Sequence, residues 1–335
     1  MKKGIFNLLS MSILFFANQG YAQQINSHLQ AKSTLQNHVS SILKENIKKI
    51  DAINGQIIIM DCKSGEIKAM VNLMNTKSGI KPAIRQLSEP TALMRTVSLL
   101  AVLEQGKVNQ NDSIDTKAGM LDINGYLLED YNWRRGANGK TSVQQGFLLS
   151  SNIATYLAVK QAFGKEYDRF YKAITNMGYG LPQNSFKAIL PSPFNDISLA
   201  KFVNGKNQHI SPLQILTFYN AIANNGKMVK PIFQKGDTTI IKEQVASKEN
   251  ITTIQQLLIQ KRLTTKVFSD KIPIAGEQGV AVVKEDGDNT IYCLQFCGYY
   301  PSDNPQYSII VSLNKKGLPA SGGMAGEIVS QIFEL

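Results

Sequence analysis

Apolar positions change their spacing twice along this chain. After a short basic start (Lys2, Lys3), residues 4–17 are almost continuously apolar, and Gly20-Tyr21-Ala22 then places small residues where a signal peptidase reads. That run is too short to cross a bilayer comfortably. Residues 1–22 therefore read as a secretory signal peptide. Residues 23–51 read as a polar lead-in ending in a helix, with Val39, Ile42, Leu43, Ile47 and Ile50 on one side. The spacing then becomes that of strands. Residues 56–60 and 66–71 are apolar runs joined by Asp61-Cys62-Lys63-Ser64-Gly65, a hairpin turn with glycine where a positive φ is wanted. Residues 279–283, 291–299 and 306–313 give three more strands, separated by Asp/Gly/Asn and Pro/Ser/Asp turns, and residues 322–333 close the chain as an amphipathic helix. The middle, about residues 75–270, is mostly helical in pattern. Strands at both ends of a helical middle predict an α+β fold, with the terminal strands completing one antiparallel sheet.

Within the middle, residues 89–106 (EPTALMRTVSLLAVLEQG) read as a turn feeding an apolar helix. Pro90 sits where a first turn tolerates it and Gly106 closes the far end. Leu93, Val97, Leu100, Ala101 and Leu103 supply a buried face.

Composition narrows the function classes. The 335 residues carry a formal charge of +11 and 43% apolar residues, with no low-complexity tract and no internal repeat. Nucleic acid is not the expected partner, because the lysines are dispersed and never interleaved with aromatics. Three cysteines are too few for a disulfide framework. Cys293 and Cys297 would share a strand face about 13 Å apart, beyond disulfide reach. The histidines (His28, His38, His209) cluster with nothing, so neither metal nor cofactor is expected. The single tryptophan, Trp133, is expected in the core. Arg134 and Arg135 beside it mark the best candidate for an aromatic, basic contact patch.

Several phrases, in this order, resemble the penicillin-binding transpeptidase family over residues 52–335. MDCKSGEIKAMVN resembles the family's opening hairpin and SEPTALMR its serine-bearing turn. Ser150-Ser151-Asn152 resembles its second motif, S-x-N. The phrases HISPLQ, at 209–214, and YNAIANNG, at 219–226, resemble the helix and turn before its third motif. The resemblance implies the family's fold, a central antiparallel sheet built from both chain ends with a helical lobe inserted.

It also assigns the chemistry to positions where the chemistry is missing. The nucleophile and base of S-x-x-K fall on Ala92 and Arg95. Alanine has no heteroatom, and an arginine keeps its proton and cannot act as a base. The third motif, K-T-G, falls on Glu277-Gln278-Gly279, which reverses the charge facing a substrate carboxylate. Like charges at about 4 Å repel by up to roughly 4 kcal/mol at an effective dielectric near 20. Only Ser150 and Asn152 survive in type. The resemblance implies that the family's two motif lysines approach the S-x-N serine from opposite walls. Arg95 and Glu277 stand at those positions here, so an Arg95–Glu277 ion pair near Ser150 is expected. Other S-x-x-K matches begin at Ser41, Ser78 and Ser198. They have little specificity, and Ser78, in the loop before Glu89, is the least implausible displaced nucleophile.

The expectation is an exported, non-catalytic transpeptidase-like protein in the periplasm or at the outer face of the inner membrane. It would bind cell-wall synthesis or division proteins, or peptidoglycan, without a stable transmembrane anchor. The alternative is an active D,D-transpeptidase or acyl-serine hydrolase with an unrecognised nucleophile.

Overall fold

The computed structural model describes residues 34–82, 87–182, 187–234, 236–265 and 273–334. The expected signal peptide and the first part of the lead-in lie outside these residues. The lead-in ends in helix α1 (Thr34–Lys49), which buries Val39, Ile42, Leu43 and Ile47 while Ile50 falls just beyond it.

Six antiparallel strands form the central sheet. β1 (Ala52–Asp61), β2 (Ile67–Thr76) and β3 (Gly79–Pro82) come from one end of the chain. β10 (Ala275–Lys284), β11 (Ile291–Tyr300) and β12 (Tyr307–Lys316) come from the other. Their order across the sheet is β10-β11-β12-β1-β2-β3, so β1 and β12 zip the two chain ends together. The unbroken Ile-Ile-Ile-Met run of β1 reflects burial on both faces. Ile57 and Ile59 pack with α1 and the last helix, α9 (Gly323–Phe333), whereas Ile58 and Met60 pack under the helical lobe. Gly65 closes the first hairpin with φ +78°, and a Cβ there would lie 2.4 Å from the Lys230 carbonyl oxygen, so the turn admits only glycine.

The lobe inserted between β3 and β10 is mostly helical, as its pattern predicts. In chain order it contains α2 (Met94–Gln105), α3 (Val143–Leu148), α4 (Asn152–Phe163), α5 (Tyr167–Asn176), α6 (Asp196–Val203), α7 (Pro212–Ala223) and α8 (Lys248–Thr265). Three small two-stranded ribbons were not foreseen: β4 (Ser113–Asp115) with β7 (Lys140–Ser142), β5 (Met120–Ile123) with β6 (Tyr126–Glu129), and β8 (Met228–Val229) with β9 (Ile240–Lys242). Runs this short carry no readable alternation.

One expectation is extended here and one is corrected. The 89–106 stretch starts with a 3-10 turn (Thr91–Leu93), and α2 is buried nearly all round, Thr96 and Ser98 included, with Leu103 at the margin. The lobe wraps this helix, so one apolar face underestimates its burial. Trp133 is not in the core: it lies half-buried in a 3-10 turn (Trp133–Arg135) that contains no buried residue. The three cysteines are buried and free, and burial pushes the Cys62 and Cys293 thiols up to about 12. Among the described residues no helix is long and apolar enough to cross a membrane, and no histidine, cysteine and carboxylate group could hold a metal.

Candidate functional site

The turn that leads into α2 is held from three sides. Thr91 is almost fully buried and adopts φ +51°, an unusual conformation for a β-branched residue. Its Oγ1 donates to Gln295 Oε1 on β11 at 3.0 Å. Gly205 presses so closely on the Thr91 backbone that a Cβ there would come within 2.0 Å of the carbonyl oxygen. From α7 the buried Tyr219 hydroxyl donates to the Leu93 carbonyl at 2.9 Å and lies 2.8 Å from Thr96 Oγ1. This strained, braced turn presents Ala92, which is only 5% exposed.

Gly279 of β10 faces that position. A Cβ at 279 would meet Thr91 Oγ1 at 2.4 Å and the Ala92 nitrogen and Cβ at 2.7 and 2.8 Å. The third-motif position and the nucleophile position are therefore in direct contact. Two residues earlier on the same strand face, Glu277 is fully buried. Its backbone neighbour Gln278 donates its N–H to Glu277 Oε1 at 3.0 Å, while Gln278 Oε1 is buried without a partner.

The partner of Glu277 is Lys261, not Arg95. Lys261 Nζ lies 2.5 Å from Glu277 Oε2, and both side chains are essentially inaccessible to solvent. The same ammonium donates to the Phe147 carbonyl at 2.7 Å and sits 4.1 Å from the centre of the Phe147 ring. Burial, with the nearby Arg95 charge, pushes Lys261 down to about 8 against the pull of Glu277. Arg95 is coupled electrostatically to Glu277 and then to Asp130 but forms no ion pair with either, and its Nε and Nη1 are sealed from water without a hydrogen-bond partner. Burial lowers its pKa, with both carboxylates opposing. The expected Arg95–Glu277 bridge is thus replaced by a Lys261–Glu277 bridge, because α8 delivers a shorter, straighter cation directly onto β10.

The S-x-N segment joins this cluster through one carbonyl. Phe147 O, which accepts from Lys261, also accepts from the Ser150 N–H at 3.0 Å. Ser150 is half-buried with φ +60°, and its hydroxyl makes no hydrogen bond among the described residues. Ser151 does the structural capping: its Oγ donates to Asp130 Oδ2 at 2.7 Å and accepts from the Ala154 N–H at 2.9 Å. Asp130 Oδ1 accepts from the Ile153 N–H, and Asn152 Nδ2 donates to the Glu129 carbonyl at 2.8 Å.

The chain matches the model of the penicillin binding protein transpeptidase domain over residues 55–334. It belongs to that family. Penicillin-binding protein PbpB of Mycobacterium tuberculosis is 26% identical over 90% of this chain and 50% of its own length. The probable peptidoglycan D,D-transpeptidase PbpC of Pseudomonas aeruginosa is 25% identical over 86% of this chain and 53% of its own. The chain thus spans about half the length of these relatives. In fold it matches the transpeptidase domain of Burkholderia pseudomallei penicillin-binding protein 3, with a TM-score of 0.75 at 21% identity over 91% of this chain and 94% of the other. A peptidoglycan glycosyltransferase structure from Burkholderia ambifaria scores 0.75 at 22% identity over 91% and 95%.

Of the motif positions, Gly279 touches Ala92, Arg95 is coupled electrostatically to Glu277, and Ser150 joins through the Phe147 carbonyl, while Asn152 is bonded to the Glu129 carbonyl. The groups at these positions differ from those of an acyl-serine enzyme. Ser78 is no substitute. It is exposed in the turn before β3, at the opposite edge of the sheet from Glu277, and contacts Thr76. Ser41 lies exposed on α1, and Ser198 forms a capping box with Asn195. The residues that sequence reading missed are Lys261, Asp130, Tyr219, Thr91 and Gln295. Lys261 carried a signal, because it continues the buried stripe of Ile251, Ile254 and Leu258 along α8.

Proposed function

We propose that this chain is an exported transpeptidase-like protein of the bacterial cell envelope that no longer transfers acyl groups and acts by binding. The observation that carries the reading is the buried Lys261–Glu277 pair beside Ala92. The nucleophile position holds a methyl group, and the position that should offer a cation to a substrate carboxylate holds an acid paired with Lys261. Retention of the strained Thr91 turn and of the S-x-N segment supports a maintained framework around a chemically emptied centre. Relatives carry names of peptidoglycan D,D-transpeptidases, which supports a binding role in cell-wall synthesis or division. Its place is the periplasm or the outer face of the inner membrane.

One observation favours a second reading, an acyl-serine hydrolase. The Ser150 hydroxyl is free among the described residues, and an amine pushed down to about 8 lies one shared carbonyl away. The same amine is held by Glu277, which keeps it protonated and engaged. Turnover of a D-alanyl depsipeptide separates the two readings. The binding protein gives no hydrolysis above buffer, whereas hydrolysis that disappears in Ser150→Ala establishes the enzyme.

A further inference from the structure

Beside the closed centre the chain turns two aromatic rings outward. In the turn at residues 131–135, Tyr131 is 86% exposed and Trp133 half-buried, while Arg134 and Arg135 are exposed. Each ring has a guanidinium over it: Arg134 lies 4.7 Å from the Trp133 ring centre and Arg135 6.0 Å from that of Tyr131. The turn is held from beneath. Gly119 lets the Trp133 backbone approach to where a Cβ would lie 2.9 Å away, Asn132 Nδ2 donates to Asn138 Oδ1 at 2.9 Å, and the Asn132 carbonyl accepts from the Arg135 N–H at 2.7 Å. Two more exposed cations stand on the supporting segments: Lys140, and Lys117 with its partner Asp115. Exposed Met120 and Leu127 continue the surface onto the β5–β6 ribbon, where Asp122 and Glu129 stand opposite them across the strands.

We infer that the 131–135 turn is a contact for an anionic lipid surface, the phosphate headgroups of a bilayer. Tyrosine and tryptophan settle at headgroup level because one end of each ring is apolar and the other wet. Arginine pairs bidentately with phosphate and can lay its apolar stem along the boundary while its charged head stays in the wet layer. Here the guanidiniums already lie over the rings, so ring and cation reach the boundary together. A stable protein interface needs roughly 1,000 Å² or more, which one short turn does not present, and a small ligand needs a concave site. A fluid bilayer needs neither, because its headgroups rearrange around what enters. The formal charge of +11 draws the chain towards a negative surface. Asp130, immediately before the turn, is tied to Ser151 and Ile153, so docking here directs the S-x-N segment towards the membrane. The inference rests on the cell-envelope reading but not on the loss of catalysis.

Trp133 is the only tryptophan of the chain, so its fluorescence reports on the turn itself. The mature chain, residues 23–335, is sedimented with vesicles of phosphatidylglycerol and phosphatidylethanolamine, and separately with vesicles of phosphatidylcholine alone. It should pellet with the first and stay in solution with the second, and Trp133 emission should move to shorter wavelength only with the first. Each arginine beside an anionic bilayer raises the ratio of bound to free chain by about fivefold. Arg134→Glu with Arg135→Glu should therefore lower that ratio by at least about twenty-fold, and Tyr131→Ala by about threefold. Lys48→Glu with Lys49→Glu makes the same charge change on α1, which packs on the sheet face opposite the lobe, and should alter it by less than about twofold. Circular dichroism checks that each variant folds. Pelleting without a shift in emission would put the contact elsewhere and overturn the proposal. Equal losses in the turn and α1 variants would reduce the effect to net charge and overturn it as well. So would undiminished pelleting of the turn variants, equal pelleting with phosphatidylcholine, or no pelleting. A shift in emission with polyglutamate but not with vesicles would give the turn to an acidic protein segment instead. Failure here leaves the depsipeptide result untouched, so the two claims fall separately.

Discussion

At the scale of single residues, the centre turns on one buried ion pair. Removing one member strands the other charge in a dry site, so Lys261→Met and Glu277→Leu should each cost roughly 3–5 kcal/mol in urea unfolding. The double variant should recover most of that loss or exceed the natural chain, since well-packed apolar pairs often replace buried ion pairs without cost. Additive single effects would contradict the pairing. The pair also leaves a signature in pH. Lys261 ordinarily titrates at 10.5 and is held down to about 8 in the fold, chiefly by burial. Between those values the unfolded chain holds a proton that the folded chain has lost, so this contribution to stability rises with pH. It is fully present above 10.5 and lost as pH falls through about 8. A stability profile between pH 7.5 and 10.5 should therefore rise more steeply in the natural chain than in the double variant, and parallel profiles would refute the lowered amine. Gly205→Ala tests the neighbouring strain. Its φ of +78° and the contact with Thr91 should make it cost more than about 1 kcal/mol.

Among the elements, the sheet was legible and the site's supports were not. The near-continuous buried runs of β1 and β11, and the turn glycine at 65, follow from two-sided burial and the need for positive φ, both written locally in the sequence. Ala92 and Gly279, which the motif order assigns to one site, are in contact in the fold. Lys261 was invisible as a partner because α8 meets β10 only in space, and a lysine on an apolar stripe does not say which acid it will find. Trp133 was misplaced because its size predicts burial, while Gly119 and Asp130 fix its turn at the surface. Asp130 also joins the 131–135 turn to the start of α4. Asp130→Ala should thus cost about 1–3 kcal/mol and speed amide exchange in both segments together. Faster exchange in only one of them would break that link.

The whole molecule is a transpeptidase domain, and the proposal is that its scaffold outlasts its chemistry. Two chain ends make the sheet and the inserted lobe braces the Thr91 turn, while the nucleophile, base and cation positions hold Ala92, Arg95 and Glu277. That is the central claim, and labelling with a fluorescent penicillin, read on a denaturing gel, tests it most directly. The natural chain should take no covalent label. A variant carrying Ala92→Ser, Arg95→Lys and Glu277→Lys, with Lys261→Gln to remove the cation that the new lysine would otherwise face, should gain one. A competable label on the natural chain, mapped to any serine peptide, would contradict the account and identify the nucleophile that it denies.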